Sequence, residues 1–451
     1  MYADRIRRAS TVRQFGKVTK VVGLIIEAAG PAVSIGRLCT IENRDDGGQL
    51  QAEVVGFRDD HILLMPYGPI TGITPGAIVT STSEQLRIPV GRELIGRVLG
   101  GLGQPVDGKG PLTTAMTRPI NSRPIAALRR QRITTPVRTG IKMIDLTSPI
   151  GQGQRMGIFS GSGVGKSVLL GMIARGSTAD INVVALIGER GREVREFIER
   201  DLGPEGMKKS VVVAVTSDQP ALVRIKGAMV ATSIAEYFRD QGKDVMLMMD
   251  SLTRIAMAQR EIGITVGEPP TTKGFTPSCF AMLPVLLERA GLTESGSITG
   301  LYTVLVEGDD LTEPISDAVR SILDGHISLS RRLASRNQYP AVDVLESISR
   351  LIHEIATEEE VRLAGRVREI TATYRDAEDL INIGAYAKGS NPRIDEAITK
   401  IGALNAFFTQ GIDEHVDNEE SLAQLRQIID GTPSGDTSSN EEVSVSAGAV
   451  A

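Results

Sequence analysis

The stretch SGSGVGKS at residues 160–167 has the composition of a phosphate-binding loop. Its three glycines let backbone N–H groups turn inward towards a phosphate chain, an approach that side chains would block. Lys166 can reach the β- and γ-phosphates of a nucleotide, and the Ser167 hydroxyl can ligate Mg²⁺. The usual pattern begins with glycine, whereas position 160 is serine. We expect nucleotide contacts from Gly161, Ser162, Gly163, Val164, Gly165, Lys166, Ser167 and Val168.

A carboxylate for the metal follows the apolar run DVMLMMD, which ends at Asp250. A single Asp after a strand is commonly a turn former. If the run is a buried parallel strand, however, its end brings Asp250 beside the glycine loop, where a carboxylate anchors Mg²⁺. The sequence therefore predicts Ser167 and Asp250 as the metal-binding residues.

Hydrolysis also requires a group that activates water, and Glu189 in ALIGERGREV is the candidate. It comes directly after another apolar run, where a carboxylate can polarise an attacking water molecule. Arg190, Arg192 and Arg195 follow closely and could instead make Glu189 a salt-bridge partner. The spacing alone leaves both interpretations open.

The composition of the 451-residue chain favours a globular protein of about two to four domains. Aromatic residues make up only 4%, tryptophan is absent and the net charge is −5. Binding of single-stranded nucleic acid relies on aromatic stacking and positive charge, so these values argue against a nucleic-acid partner.

Cysteine content and hydropathy favour a cytoplasmic protein. Cys39 and Cys279 lie in separate regions, so neither a metal site nor a disulfide framework is expected, as in a reducing compartment. No run of about 18 apolar residues predicts a transmembrane helix. The basic N-terminus has no apolar stretch after it, so it is not a secretory signal.

Five segments differ in pattern along the chain. Residues 1–18 are basic and are either a solvated terminus or a short amphipathic helix that docks on a partner or on anionic lipid. Short strands in 19–93 predict a small β-barrel. Apolar strands alternate with helices in 94–350, which predicts a doubly wound α/β domain. Residues 351–430 are helical throughout, and the Ser/Gly-rich residues 431–451 are expected to be disordered.

Several motifs extend the comparison to a family. TGIKMIDLTSPIGQGQRMGIFSGSGVGKS, GERGREVREF, GEPPTTKGFTPS and PAVDVLESISR resemble the catalytic subunits of rotary ATPases, and among them the ATPases of type III protein export. GSITGLYTVLVEGDDLTEPISDAVRSILDGHISLSRRLA is more similar to the flagellar than to the injectisome enzymes. The resemblance covers residues 18–430. It implies a multi-domain protein with an N-terminal β-barrel, a central α/β RecA-like P-loop ATPase domain and a C-terminal α-helical domain.

The resemblance also implies roles for single residues. Glu189 matches the catalytic glutamate, which non-catalytic subunits typically replace by Gln. Arg350, which closes ESISR, matches an arginine finger that reaches the nucleotide of a neighbouring subunit. Arg254 in DSLTR matches an arginine on the phosphate side, and Tyr339 in QYPAVD matches the aromatic residue that stacks on adenine. The family also has an aromatic residue from the C-terminal domain at adenine, for which Phe407 and Phe408 are both candidates.

The implied function is the hydrolysis of ATP, with Mg²⁺, to energise flagellar protein export. The family implies a homohexamer in the cytoplasm at the cytoplasmic face of the inner membrane. The implied partners are a regulatory stator-like subunit, the membrane export gate, and export substrates with their chaperones, which contact the C-terminal domain.

Three other functions compete with this prediction. An injectisome ATPase belongs to the same class but serves another machine. An RNA translocase resembling the Rho terminator would need basic loops and exposed aromatic residues in its barrel, whereas 19–93 has Phe57, Tyr67 and few basic residues. A non-enzymatic ring subunit would bind nucleotide only structurally, and both Glu189 and Arg350 argue against it.

Overall fold

We describe the protein from a computed structural model, which covers residues 14–43, 47–82, 85–306 and 312–431. Most of the predicted basic segment 1–18 and nearly all of the tail 431–451 lie outside these ranges. The VEGDD motif at residues 306–310 is covered only at Val306.

The N-terminal strands close into a barrel in the order β1-β2-β5-β4-β3-β6. These strands are β1 (Phe15–Val22), β2 (Ile25–Ala29), β3 (Leu38–Glu42), β4 (Gln49–Arg58), β5 (His61–Pro66) and β6 (Ile78–Ser81). Alternate residues point inward, as expected of a strand with one face on a core, and Val18, Ile41 and Leu64 are buried there. The predicted barrel is confirmed. Strand β1 begins at Phe15, four residues before the predicted boundary at 19, because β1 pairs with both β2 and β6 to close the barrel.

Short elements connect the barrel to the central domain. They are β7 (Arg87–Pro89), a 3₁₀ turn (Arg92–Leu94), β8 (Val98–Leu99), β9 (Thr117–Pro119), a 3₁₀ turn (Ala127–Arg129), β10 (Pro136–Val137), α1 (Lys142–Thr147) and β11 (Ile150–Gly151). Strand β7 pairs with β9, and β10 pairs with β11.

The central domain alternates strands and helices. Its elements are β12 (Arg155–Ser160), α2 (Lys166–Gly176), β13 (Ile181–Glu189), α3 (Gly191–Glu196), a π-helical segment (Phe197–Leu202), α4 (Gly203–Met207), β14 (Ser210–Thr216), α5 (Ala221–Asp240), β15 (Asp244–Asp250), α6 (Leu252–Val266), a 3₁₀ turn (Thr272–Gly274), α7 (Pro277–Leu287), β16 (Gly291–Leu292), β17 (Ser297–Leu305), α8 (Pro314–Ile322), β18 (Gly325–Leu329), α9 (Arg331–Ser335) and β19 (Ile348–Ser349).

The central sheet has the order β19-β18-β12-β17-β15-β13-β14-β8, and the strands from β18 to β8 are parallel. Strands β13, β15 and β17 are almost wholly buried, as expected when helices cover both faces of a parallel sheet. The predicted α/β domain is confirmed. Because the strands run in one direction, their last residues meet at one end, here called the carboxyl end of the sheet, and their first residues meet at the amino end.

The C-terminal helices are α10 (Ile352–Ile355), α11 (Glu358–Asn382), α12 (Pro392–Phe408) and α13 (Asn418–Asp430). Helix α11 begins with a capping box in which Thr357 and Glu360 exchange side-chain and backbone hydrogen bonds. Leu363 and Val367 share a core with Ile158 of β12. The predicted helical domain is therefore confirmed, and it packs on the ATPase domain. Among the described residues, no helix has the length and hydropathy needed to cross a membrane.

Candidate active site

The glycine loop joins β12 to α2 at the carboxyl end of the sheet. Gly163 and Gly165 adopt left-handed backbone angles, with φ of +78° and +88°, which other residues rarely tolerate. A Cβ atom on Gly163 would meet no other atom within 4 Å, so the inside of the loop is open. The side chain of Val164 is buried in the core, so only its backbone can face a ligand. The loop ends at the N-terminus of α2, whose dipole favours an anion.

Lys166 and Asp250 form an ion pair beside the loop. Asp250 ends β15, as predicted, and its Oδ1 atom also accepts a hydrogen bond of 2.6 Å from Thr303 Oγ1. Sequence reasoning missed Thr303. The only signal for it was a hydroxyl inside the apolar strand β17, which is adjacent to β15 in the sheet.

Glu189 ends β13, one strand further along the sheet. Burial, followed by the charge of Asp250, raises its pKa to about 7. Its Oε1 atom is buried and has no hydrogen-bond partner among the described residues. The three nearby arginines pair with other glutamates: Arg190–Glu193, Arg192–Glu196 and Arg195–Glu199. The salt-bridge interpretation therefore loses its expected partners. Glu189 lines the pocket, where Glu193, Lys166 and Arg254 are its charged neighbours.

Arg254 projects from α6 into the same pocket. Its side chain packs on Gly188, where an added Cβ would lie 2.9 Å from the Cβ of Arg254. The Nε atom of Arg254 is buried and, within the described part of the chain, has no hydrogen-bond partner. Glycine at 188 is therefore required both by its φ of +75° and by this contact.

The pocket bounded by these groups measures about 760 Å³. The predicted residues that line it are Gly161, Ser162, Gly163, Gly165, Lys166, Ser167, Val168, Glu189 and Arg254. The predicted Val164, Asp250 and Tyr339 do not line it. Sequence reasoning missed other lining residues, among them Lys273, Phe275, Glu313 and Arg331. Lys273 and Glu313 form an ion pair of 3.4 Å.

The aromatic candidates differ in position. Tyr339 is 38% exposed, and its ring lies 3.4 Å from the position of a Cβ on Gly165. Its carbonyl accepts a 2.8 Å hydrogen bond from the Gln410 N–H of the C-terminal domain. Phe407 and Phe408 are only 9% and 3% exposed and pack edge to face on each other in the core. None of the three lines the pocket of about 760 Å³. Tyr339 lies at the surface beside the glycine loop, whereas both phenylalanines are core residues in this structure.

Arg350 lies at the opposite end of the sheet. It directly follows β19, which runs antiparallel to β18 and places Ser349 opposite Gly325, the first residue of β18. The six residues of β12 separate the two ends of the sheet by roughly 20 Å at about 3.3 Å per residue. Arg350 is exposed and lines no part of the nucleotide pocket of its own chain.

Comparison with known proteins agrees with this architecture. Three family profiles match successive regions: the beta-barrel domain of the ATP synthase alpha/beta family at 18–83, its nucleotide-binding domain at 140–349, and the T3SS EscN ATPase C-terminal domain at 356–427. The flagellum-specific ATP synthase of Bacillus subtilis is 55% identical, over 94% of this chain and 97% of the relative. The chain belongs to the family of flagellar and type III secretion ATPases.

Members of this family from secretion systems are also similar to the chain. The type 3 secretion system ATPase of Xanthomonas euvesicatoria is 50% identical, over 93% of this chain and 95% of the relative. The assembled ATPase EscN of enteropathogenic E. coli, solved in complex with its central stalk EscO, is 43% identical with a TM-score of 0.85. That match covers 92% of this chain and 100% of EscN.

The pocket of this ATPase has the chemical groups that ATP and Mg²⁺ require. Among the described residues, no cluster of three or more His, Cys, Asp or Glu could hold a metal ion without help. Mg²⁺ is usually bound by one or two protein oxygens together with substrate phosphates, and Ser167 and Asp250 offer a hydroxyl and a carboxylate in that arrangement. The residues therefore fit a metal that enters together with the nucleotide.

Proposed function

We propose that the chain binds ATP with Mg²⁺ at the glycine loop and hydrolyses it to energise flagellar type III protein export. The observation that carries this proposal is Glu189, a partly buried carboxylate with a raised pKa and an unpartnered oxygen, beside Lys166 and Asp250. The flagellar assignment rests on the higher identity to the Bacillus flagellar protein than to the secretion-system relatives.

Each group at the carboxyl end of the sheet has a distinct task in this proposal. The loop N–H groups and Lys166 hold the phosphates, and Ser167 with Asp250 holds Mg²⁺, which when bound neutralises phosphate charge. Glu189 accepts a proton from the attacking water. Arg254 supplies positive charge on the phosphate side, and Tyr339 stacks on adenine. This chemistry depends on positioning and charge stabilisation rather than on a covalent intermediate.

Hydrolysis in this proposal takes place between subunits. Arg350 cannot reach its own pocket but is exposed for a neighbour, where an arginine supplied in trans stabilises transition-state charge. One chain thus offers a pocket at one end of its sheet and a finger at the other. Repetition of this head-to-tail contact gives a ring, which we propose to be a homohexamer, in line with the assembled state of EscN.

The partners of the ring are also proposals. Leu380 and Ile383, at the end of α11, are 50% and 76% exposed, which suits contact with a helical stalk such as the one in the EscN complex. The C-terminal domain would receive export substrates and chaperones, and residues 1–18 would bind a stator-like subunit or anionic lipid. We place the ring in the cytoplasm, facing the membrane export gate.

Two experiments test the proposed function. The first is steady-state ATP hydrolysis by the purified chain over a range of protein concentrations, with Lys166→Ala as the inactive control. Specific activity should rise cooperatively with concentration and vanish in the variant. Activity that is independent of concentration, in a protein that sizing shows to be monomeric, would contradict catalysis between subunits.

The second experiment tests whether the chain serves flagellar export or an injectisome. The chain should restore motility to a Bacillus subtilis strain that lacks its flagellum-specific ATP synthase, and Lys166→Ala should not. An active ATPase that restores no motility but supports protein secretion in a strain lacking an injectisome ATPase would instead establish the injectisome alternative.

A further inference from the structure

Arg350 is held by its own chain through two contacts at the amino end of the sheet. Its Nη2 atom donates a 3.3 Å hydrogen bond to the carbonyl of Arg320 in the last turn of α8. Such carbonyls have no partner within their helix and carry negative partial charge, so they attract a cation. The backbone N–H of Arg350 donates a 3.0 Å hydrogen bond to the carbonyl of Asp324. Thus one hydrogen bond holds the guanidinium of Arg350 to its own chain, and a second fixes the position of its backbone.

Asp324 is itself fixed by Arg155, the first residue of β12. Its carboxylate accepts from the Arg155 backbone N–H at 3.1 Å, from Nε at 3.0 Å and from Nη2 at 3.0 Å. The N–H of Asp324 donates to the Arg155 carbonyl at 2.9 Å, and Gln154 donates to the Asp324 carbonyl at 3.1 Å. A planar guanidinium that grips a carboxylate with two nitrogens restricts it more than a single contact does.

The remaining nitrogen of Arg155 has a further partner. Its Nη1 atom forms an ion pair with Glu288, which directly follows α7, and Glu288 is also paired with Arg130. Asp324, Arg155, Glu288 and Arg130 therefore form a linked set of two carboxylates and two guanidiniums. The backbone from which Arg350 projects is anchored to the central sheet, although Arg350 itself is exposed.

We propose that Asp324 is a positioning residue for Arg350. Arg155 holds Asp324 in place, and this lock fixes the position from which the Arg350 side chain reaches the pocket of the neighbouring subunit. This inference rests on the proposed role of Arg350 in trans. Displacement of a catalytic group by about 1 Å can cost on the order of a hundredfold in rate, so loss of the lock should be visible in turnover.

An experiment that mixes two variants distinguishes the contributions of the two ends of the sheet. Chains with Glu189→Gln keep their finger but lack the base, and chains with Arg350→Ala keep their pocket but lack the finger. Each alone should be inactive, and mixed rings should regain hydrolysis where a Glu189→Gln chain presents Arg350 to an Arg350→Ala pocket.

Asp324→Asn is then added to one chain at a time. In the Glu189→Gln chain, which donates the finger, it should lower the restored rate by at least about tenfold. In the Arg350→Ala chain, which donates only the pocket, it should leave the restored rate within about twofold, because the lock has no finger to position there. Glu359→Gln, which breaks an exposed ion pair with Arg426 between α11 and α13, is the matched control and should have no effect in either chain.

The outcomes are distinguishable. No restored activity in the parent mixture would overturn the finger in trans and the positioning role with it. Restored activity that Asp324→Asn lowers equally in both chains, or in neither, would overturn the positioning role alone. Arg155→Lys, which cannot grip the carboxylate with two nitrogens, should show the same asymmetry and serves if Asp324→Asn fails to fold.

Discussion

The two ends of the central sheet use charge differently. At the carboxyl end, Glu189 and Arg254 are partly buried and each has a side-chain atom without a hydrogen-bond partner in the described part of the chain. At the amino end, Arg155 binds Asp324 through two side-chain nitrogens and pairs with Glu288 through the third. Both ends contain arginines and carboxylates within the same sheet.

The proposed roles of the two ends account for this difference. A group that must bind a substrate or move a proton needs unused hydrogen-bonding capacity and a pKa close to the working pH. A group that holds a backbone in place works best when all of its hydrogen-bond donors and acceptors are paired, because a fully paired network has few alternative arrangements. The unpartnered atoms of Glu189 and Arg254 therefore suit the proposed chemistry, whereas the two nitrogens with which Arg155 holds Asp324 suit a supporting role.

Removal of the exposed finger should have the largest effect. Arg350→Ala should lower the oligomer-dependent rate by about 10³- to 10⁵-fold, because transition-state charge in the neighbouring pocket loses its cation. Binding of a fluorescent ATP analogue should not change, since Arg350 lies outside its own pocket. Arg393→Ala, at an exposed arginine of α12, is the control. Weaker binding with an unchanged maximal rate would contradict this prediction.

The next largest effect should come from the unpartnered carboxylate. Glu189→Gln should keep ATP binding and lower turnover by about 10²- to 10⁴-fold, because the amide cannot accept the proton of water. Glu196→Gln is the matched control on the neighbouring helix α3, since Glu196 pairs with Arg192 and does not line the pocket. Turnover near the wild-type rate in Glu189→Gln would remove Glu189 as the base.

The acid limb of the pH profile should report the same carboxylate. Because burial and the charge of Asp250 raise the pKa of Glu189 to about 7, the carboxyl group is increasingly protonated below that pH and cannot act as a base. The value of kcat/KM should therefore fall about tenfold per pH unit below pH 7 and level off above it. A profile that stays flat down to pH 5.5 would show that no group with this pKa controls the reaction.

The smallest effect should come from the loss of Arg130, which joins the network at the amino end through Glu288. Arg130→Gln leaves Glu288 paired with Arg155, so the free energy of unfolding should fall by only about 1 kcal/mol. Urea unfolding measures this, with Arg426→Gln in an exposed pair as the comparison. A tenfold loss of ATPase activity at unchanged stability would mean that this part of the network serves the reaction directly.

Sequence alone predicted the architecture and most of the residues around the glycine loop because both follow from local pattern. Glu189 and Asp250 each end an apolar run, Lys166 follows the glycine loop after another, and parallel strands bring such ends together. The role of Arg350 came only from family resemblance, since an arginine after a short strand has no local signature. Its position at the amino end of the sheet became visible only in the structure.

Contacts between distant segments could not be predicted in the same way. Thr303 reaches Asp250 because β17 pairs with β15, and Lys273 meets Glu313 across two loops. Phe407 and Phe408 show the same limit from sequence. An aromatic residue on a helix has the same sequence pattern whether it faces a ligand or packs in a core. Only the packing of α12 on the ATPase domain shows that both are buried.

In the proposed ring, the separation of the pocket and Arg350 to opposite ends of one sheet would make the number of working sites depend on how the copies are joined. A single copy has both halves of a site but no complete one. An open arc of n copies has n − 1 complete sites, with an unused finger at one end and an unassisted pocket at the other. Only closure of the arc completes the last site, so the final copy to join would add two sites, whereas the first copy adds none and each copy between them adds one.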